Sequence, residues 1–210
     1  MTEEKRDFDK DAASWDENPG RVRIAERIFQ TIVNRIVLST GMEVMDFGCG
    51  TGLLSIRLLP FVKSVVGVDS SPGMLEVFRK KVLTSGLGAI SAQLIDIDKG
   101  GTLEGMYDLV TSSMTMHHIK DVPSLLEQFH SVLKPGGRLC IADLDGDNGE
   151  FHENPAGVFH NGFDRNEMKA LFVESGFADV VAETAAEVEK PGKDGGIRRF
   201  TMFLVTGKRP

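Results

Sequence analysis

Three glycines at alternate positions, Gly48, Gly50 and Gly52, follow directly on the apolar run Val44-Met45-Asp46-Phe47. Glycine accepts backbone angles that other residues resist, and with no Cβ it lets a ligand approach the main chain. The helix-compatible run Leu53 to Leu59 completes a strand–turn–helix unit of the kind that binds a nucleotide-like ligand at the carboxyl end of a parallel sheet. The same glycines also read as a flexible loop. A second apolar strand, Ser64 to Val68, ends in Asp69, about 20 residues beyond the turn. A carboxylate there can accept two hydrogen bonds from a ribose diol. Asp96 closes a third strand. Its carboxylate can accept an adenine amino group while Ile97 covers the ring, or it is a solvated loop residue.

Proton chemistry has separate candidates. A fourth strand is followed by Ser112, Ser113, Met114, Thr115, Met116, His117 and His118. Imidazole is the side chain best suited to moving a proton near neutral pH. The alternative has His118 bracing the next helix and His117 exposed. Residues 143–163 form a long connection for a compact domain, hence a candidate lid. It carries Asp143, Asp145, Asp147, Glu150, His152, Glu153 and His160, with Phe151, Phe159 and Phe163 as an apolar lining. Asp143-x-Asp145-x-Asp147 imitates the start of a calcium loop. However, Asn148 stands where the glycine is due, Asn154 where the last carboxylate is due, and a strand precedes. No spacing demands a metal, and none is expected.

These residues need elements to hold them. From Gly20 to Leu38 the stripe Ala25, Ile28, Ile32, Ile36, widened by Phe29 and Val33, predicts a helix packed on a sheet. Ser71-Pro72 starts another helix, burying Met74, Leu75, Phe78 and Val82 and ending at Gly86. Met74 touches an adenine ring or is simply core. Strands run over Ile90–Ile95 and Tyr107–Ser112. Asp121 and Pro123 start a helix with Leu125, Leu126, Phe129 and Leu133 inward; it stops at Lys134-Pro135-Gly136-Gly137, before a strand over Arg138–Ala142. Asp164-Arg165-Asn166-Glu167 resembles a capping box for the last helix, which ends at Gly176. Two closing strands, near Ala178–Glu183 and Arg198–Thr206, are joined by a charged loop and can pair antiparallel. The alternation predicts an α/β, doubly wound, mostly parallel sheet. Residues 1–19, polar but for Phe8 and Trp15, are a frayed terminus or an arm folded over something apolar; residues 20–210 are one domain.

The run VMDFGCGTG resembles the first motif of the class I S-adenosylmethionine-dependent methyltransferases, and VDSSPGML resembles the end of their second strand. LIDID (94–98), YDLVTSSMTMHHI (107–119) and LKPGGRLCIAD (133–143) continue the likeness over most of the chain, from about residue 20 to 206. The resemblance implies a Rossmann-like seven-stranded sheet in the order 3-2-1-4-5-7-6, the last strand antiparallel. It implies an enzyme that transfers methyl from S-adenosyl-L-methionine to a small-molecule acceptor, similar to the quinone-biosynthesis and metabolic group. Cofactor contacts then fall to Asp46, Gly48, Cys49, Gly50, Asp69, Ser70, Met74, Asp96, Ile97 and Ser112. A base would be His118, with His117 more doubtful, and the segment FDKDAASWD would cap the cleft.

Composition bounds the alternatives. At 210 residues, with 41% hydrophobic and 26% charged residues, the chain supports a substantial core. A formal charge of −7 argues against a polyphosphate partner. No run approaches the ~18 apolar residues of a membrane span, no signal peptide opens the chain, and two cysteines offer no disulfide framework. A cytoplasmic protein is expected. Two other functions compete: a cofactor-binding but inactive partner or sensor, and a nicotinamide-dependent oxidoreductase. The second is disfavoured because Leu53 stands where the GxGxxG fingerprint needs its third glycine.

Overall fold

A computed structural model of the chain describes residues 7–191 and 195–210. Residues 1–6 of the expected arm and 192–194 of the expected charged loop lie outside them. Helix α1 (Phe8–Asp11) and a 3-10 turn (Ala12–Glu17) lead into α2 (Pro19–Arg35), whose first amides donate to the Asn18 side chain. Strand β1 (Glu43–Phe47), α3 (Leu53–Leu58), β2 (Ser64–Asp69), α4 (Pro72–Thr84) and β3 (Ile90–Leu94) follow. Then come β4 (Tyr107–Ser113), α5 (Val122–Val132), β5 (Leu133–Leu144), α6 (Arg165–Glu174), β6 (Ala178–Pro191) and β7 (Ile197–Lys208). The expected caps are in place: Ser71 accepts from Met74, Asp121 from Ser124, and Asp164 from Asn166 and Glu167. No helix among the described residues is long and apolar enough to cross a membrane.

The seven strands form one sheet in the order β3-β2-β1-β4-β5-β7-β6. The first five pair parallel, and β7 runs antiparallel between β5 and β6. Alternation along each strand sends neighbouring side chains to opposite faces, and helices cover both. Val44, Val65, Leu109 and Cys140 pack with Ile28, Ile32, Leu54, Leu58 and Phe78 on one side. Met45, Val110, Leu139, Ile141 and Phe203 pack with Leu125, Phe129, Met168 and Phe172 on the other. Burial on both faces is why the parallel strands read as nearly continuous apolar runs.

Two boundaries differ from the sequence reading. Helix α5 stops at Val132, and β5 already begins at Leu133, opposite Tyr107. Residues 134–137 are a bulge within the strand rather than the end of the helix, with Gly136 at φ 83°. The bulge brings the Lys134 Nζ to Asp108 (2.8 Å) and Glu43 (3.0 Å). The last two strands also run well beyond their expected ends and form a long hairpin. Ala-Glu-Val-Glu-Lys has weak strand propensity, yet pairing with β7 overrides it: Glu189 stands opposite Arg199, and Arg199 reaches Glu187.

Gly67 in β2 shows how closely the site is backed by the core. A Cβ there would lie 2.5 Å from the Phe78 ring and 2.8 Å from the Cys49 sulfur. Gly67→Ala should therefore lower stability by about 1–3 kcal/mol through overpacking, read as a reduced midpoint in reversible denaturant unfolding.

Candidate functional site

The chain leaves β1 through the glycine turn, where Gly48, Gly50 and Gly52 all take positive φ (70°, 53° and 83°). Their reasons differ. A Cβ on Gly48 would fall 2.1 Å from Thr115 Oγ1 and one on Gly52 2.3 Å from Phe78, so these two are glycine because neighbours fill the space. A Cβ on Gly50 would meet nothing nearer than the Met74 sulfur at 4.0 Å. Gly50 is the residue where the turn leaves open space over the backbone. The turn is tied to β2 twice. Amides of Gly48 and Cys49 donate to the Val68 carbonyl (2.7 and 3.0 Å), and the Gly50 amide donates to Asp69 Oδ2 (2.7 Å). The other Asp69 oxygen accepts the Ser71 amide at 2.9 Å.

A cleft of about 1180 Å³ opens over the carboxyl ends of the strands. Asp46, Gly48, Cys49, Gly50, Asp69, Ser70, Met74, Asp96 and Ile97 line it together, as do His117 and His118. Ser112 does not. It is buried in β4, its hydroxyl has no hydrogen-bond partner among the described residues, and the strand's alternation turns Ser113 to the cleft instead. Asp46 sits at the floor, accepting hydrogen bonds from Ser55 and from Thr111 (3.0 Å). Burial, aided by the Asp69 charge and opposed by those two hydroxyls, pushes its carboxyl up to about 6. Burial likewise raises the Cys49 thiol. Asp96 stands 3.0 Å from the Lys99 ammonium.

The described part of the N-terminal segment lies along the cleft rim. Asp9 Oδ1 accepts the Ser71 hydroxyl and the Gly73 amide (2.8 Å) at the start of α4. Asp16 accepts the Thr51 hydroxyl from the glycine turn (2.6 Å) and pairs with Lys81 (2.6 Å). Phe8 packs edge-on against both Trp15 and His118, with ring centroids 6.0 and 5.0 Å away.

Beyond β4 the backbone kinks at Met114, whose φ of 55° is rare for a long side chain. The kink carries Thr115 against Gly48 and turns the histidines toward the cleft. His117 is 1% exposed rather than solvated, and its Nδ1 lies 2.6 Å from Asp143 Oδ1. Asp143, wholly buried in β5, also accepts the amides of Met116 (2.8 Å) and Leu144 (2.7 Å). Its burial works to raise its pKa, but His117 and the Leu144 amide outweigh it, so the carboxyl stays below its ordinary value. His118 donates Nδ1–H to the Gly157 carbonyl at 2.6 Å. Burial and the neighbouring His117 push it down to about 3.

The 143–163 connection folds back over this turn. Amides of Phe159 and His160 donate to the His117 carbonyl (2.9 and 3.3 Å), and the His152 ring lies 4.8 Å from that of His117. Of the expected apolar lining only Phe151 reaches the cleft; Phe159 packs against the Lys120 ammonium and Phe163 against His160 and Phe203. Asp145 pairs with Arg165 through both oxygens, which is a structural tie. Among the described residues no group of three or more His, Cys, Asp or Glu is arranged to hold a metal ion.

The remaining wall was not foreseen. Arg21 and Ile24 of α2 and Glu187, Val188, Glu189 and Lys190 of the long hairpin face the same space. Arg21 lies 3.8 Å above the Trp15 ring, and Lys190 donates to the Phe151 carbonyl at 2.8 Å. No local signature marks these residues; packing of α2 brings in the first two, and the pairing of β6 with β7 brings in the rest.

A methyltransferase domain family model matches residues 21–182. The chain belongs to the methyltransferase domain family. It is 34% identical over 175 residues, 75% of its length, to an uncharacterized methyltransferase of Schizosaccharomyces pombe. It is 30% identical over 105 residues, half its length, to the ubiquinone biosynthesis O-methyltransferase of Pseudomonas aeruginosa. It spans 62% of the first relative and 45% of the second. In fold, this domain is similar to Haemonchus contortus phosphoethanolamine N-methyltransferase 2, solved with S-adenosyl-L-methionine. The TM-score is 0.71 at 18% identity, over 97% of this chain and 60% of that one. The sheet order and its antiparallel strand agree with this membership, and the dinucleotide-oxidoreductase alternative is set aside.

The floor of the methyltransferase cleft carries a pH signature. Asp46 ionises at an ordinary 3.8 in the unfolded chain but near 6 when folded. Below pH ~4 both states hold the proton; between pH ~4 and ~6 only the unfolded chain releases it, so stability falls as pH rises and then levels off. Two units amount to at most about 3 kcal/mol. Asp46→Asn should abolish that decline, seen by comparing the ligand-free proteins in calorimetric unfolding from pH 4 to 7.

Proposed function

We propose that this protein transfers a methyl group from S-adenosyl-L-methionine to a small-molecule acceptor held in the same cleft. The observation that carries this reading is Gly50: a ligand-facing turn residue with open space before it, beside a carboxylate fixed by two backbone amides. The residues fit the cofactor. A carboxylate has about four lone-pair sites, so Asp69 can accept ribose hydroxyls as well as amides. Asp96 and Ile97 are placed for an adenine edge and face, Met74 lies at the start of α4, and Ser70, Cys49 and Gly48 complete that wall. Ser113, in place of Ser112, lines the cleft.

S-adenosylmethionine supplies an electrophilic methyl carbon, so the chain's own task is to hold the acceptor in line and exclude water. Trp15, Phe8 and Phe151 supply apolar cover at the acceptor end, and Arg21, Glu153 and Lys190 supply polar selection. The acidic surface supports a metabolite over a nucleic acid. Two free, buried cysteines favour a reducing compartment such as the cytoplasm. An inactive cofactor-binding partner is the second reading, favoured only by the low proton affinity of His118; a methylated product from a metabolite pool would exclude it.

Asp69→Ala, checked for folding by circular dichroism, should weaken S-adenosylhomocysteine binding by roughly 1.5–3 kcal/mol, the worth of hydrogen bonds to a charged group. Calorimetry would read this as one to two decades in Kd, and unchanged affinity would refute the ribose assignment. The residue 7–17 segment and the folded-back loop both touch His117 or His118. Both should gain hydrogen-exchange protection together when S-adenosylhomocysteine binds, and identical exchange with and without it would make them ordinary surface.

A further inference from the structure

The Asp143–His117 pair is absorbed by neither the cofactor wall nor the core. A carboxylate only accepts hydrogen bonds, so His117 must donate from Nδ1 to Asp143, leaving the lone pair on Nε2. Asp143 cannot swing away, because the Met116 and Leu144 amides hold it as well. His117 lines the cleft with its side chain 1% exposed, and its ring neighbours those of His118 and His152, which meet Phe8 and Phe151. His118 also carries its lone pair on Nε2, but a carbonyl, not a carboxylate, backs it. The two rings are 4.1 Å apart, too close for both to be charged cheaply. The His152 ring lies beside both, at 4.8 Å from His117 and 5.8 Å from His118. Of these rings, His117 is the one that shares a 2.6 Å hydrogen bond with a buried carboxylate.

The geometry points to His117, oriented and counter-charged by Asp143, as the group that takes the proton of a neutral hydroxyl acceptor, so that this cleft methylates alcohols or phenols. The inference rests on the methyl-transfer reading above. In the step, the acceptor O–H bond breaks and its proton passes to Nε2. The oxygen's electron pair forms the new O–CH3 bond, and the pair of the broken S–CH3 bond stays on sulfur as a thioether. One positive charge leaves the sulfonium and one arrives on the imidazole, so the net charge of the closed cleft is unchanged. Its new position faces Asp143, which is what a dry site requires of a proton acceptor. His117 is thus the catalytic residue and Asp143 a positioning residue.

Two measurements test this on the full chain. Imidazole nitrogen-15 NMR of the ligand-free wild type at neutral pH should show His117 as the Nδ1–H tautomer; Asp143→Asn removes the charge and puts an amide N–H donor among the groups that face the ring. Mass spectrometry should then follow methylation of two matched probes, phenol and thiophenol, the second largely ionised near neutral pH and needing no base. His117→Gln and Asp143→Asn should lose phenol methylation by about 10²–10⁴-fold and at least tenfold respectively, while thiophenol methylation stays within a few-fold. A structural role alone would lower both probes equally. The assignment is overturned by an Nε2–H tautomer in the wild type or by equal loss of both probes. A phenol rate indifferent to either variant overturns it too, as does a wild type that binds S-adenosylhomocysteine yet leaves phenol unmethylated. Failure of S-adenosylhomocysteine to bind the wild type in calorimetry would instead sink the methyl-transfer reading itself.

Discussion

The Asp69 carboxylate, at the end of β2, holds the Gly50 amide with one oxygen and the Ser71 amide with the other. Those two bonds fix the glycine turn, the second strand and the start of α4 relative to one another. Ser71 in turn caps α4 and receives Asp9 from the N-terminal segment. This wall of the cleft is therefore held by a chain of hydrogen bonds that passes through Asp69 and Ser71. An ionised acceptor makes each of the Asp69 bonds stronger than a neutral bond would be. Its placement beside Asp46 has a cost: burial chiefly, and the Asp69 charge to a lesser extent, raise the proton affinity of that carboxyl.

The opposite wall depends on a second tie of the same kind, between Asp143 and the turn after β4. Here the carboxylate is buried completely and has three partners, so its charge is satisfied rather than stranded. Met114 enters this turn in a left-handed conformation, which costs about 1–3 kcal/mol and persists only where surroundings over-determine it. The determinants are visible: its amide binds Ala142, Thr115 fills the space above Gly48, and the Met116 amide binds Asp143. Strain, glycine choice and histidine placement are parts of one arrangement. The folded-back loop then closes over it through the His117 carbonyl.

The identity of neighbouring sites also explains why two adjacent histidines behave differently. His118 is more exposed to the cleft and meets Phe8, yet its only backing is a carbonyl, and burial drives it toward the neutral form. His117 is more enclosed, but shares a carboxylate. That carboxylate only accepts hydrogen bonds, so it fixes which ring nitrogen of His117 carries the hydrogen.

The local features were legible in the chain alone. The glycine spacing, the acidic residue ending β2, the Ser71, Asp121 and Asp164 caps and the two-sided apolar strands all depend on residues close in sequence, where backbone angles and periodicity dictate the outcome. Strand order and family followed from those motifs taken together. What the sequence could not decide was any contact set by long-range pairing. Ser112 and Ser113 are neighbours, and only the register of β4 against β1 and β5 chose which one faces the cleft. Lys190 and Arg199 entered the wall because β6 and β7 extend through pairing that their own propensity does not favour. His117 and Asp143 are 26 residues apart, and each reads as an ordinary polar residue until adjacent parallel strands bring them to 2.6 Å. Local sequence determined the turns and caps because their energy is local; the tertiary structure alone assembled the buried pair, because its energy exists only once water is excluded from both partners.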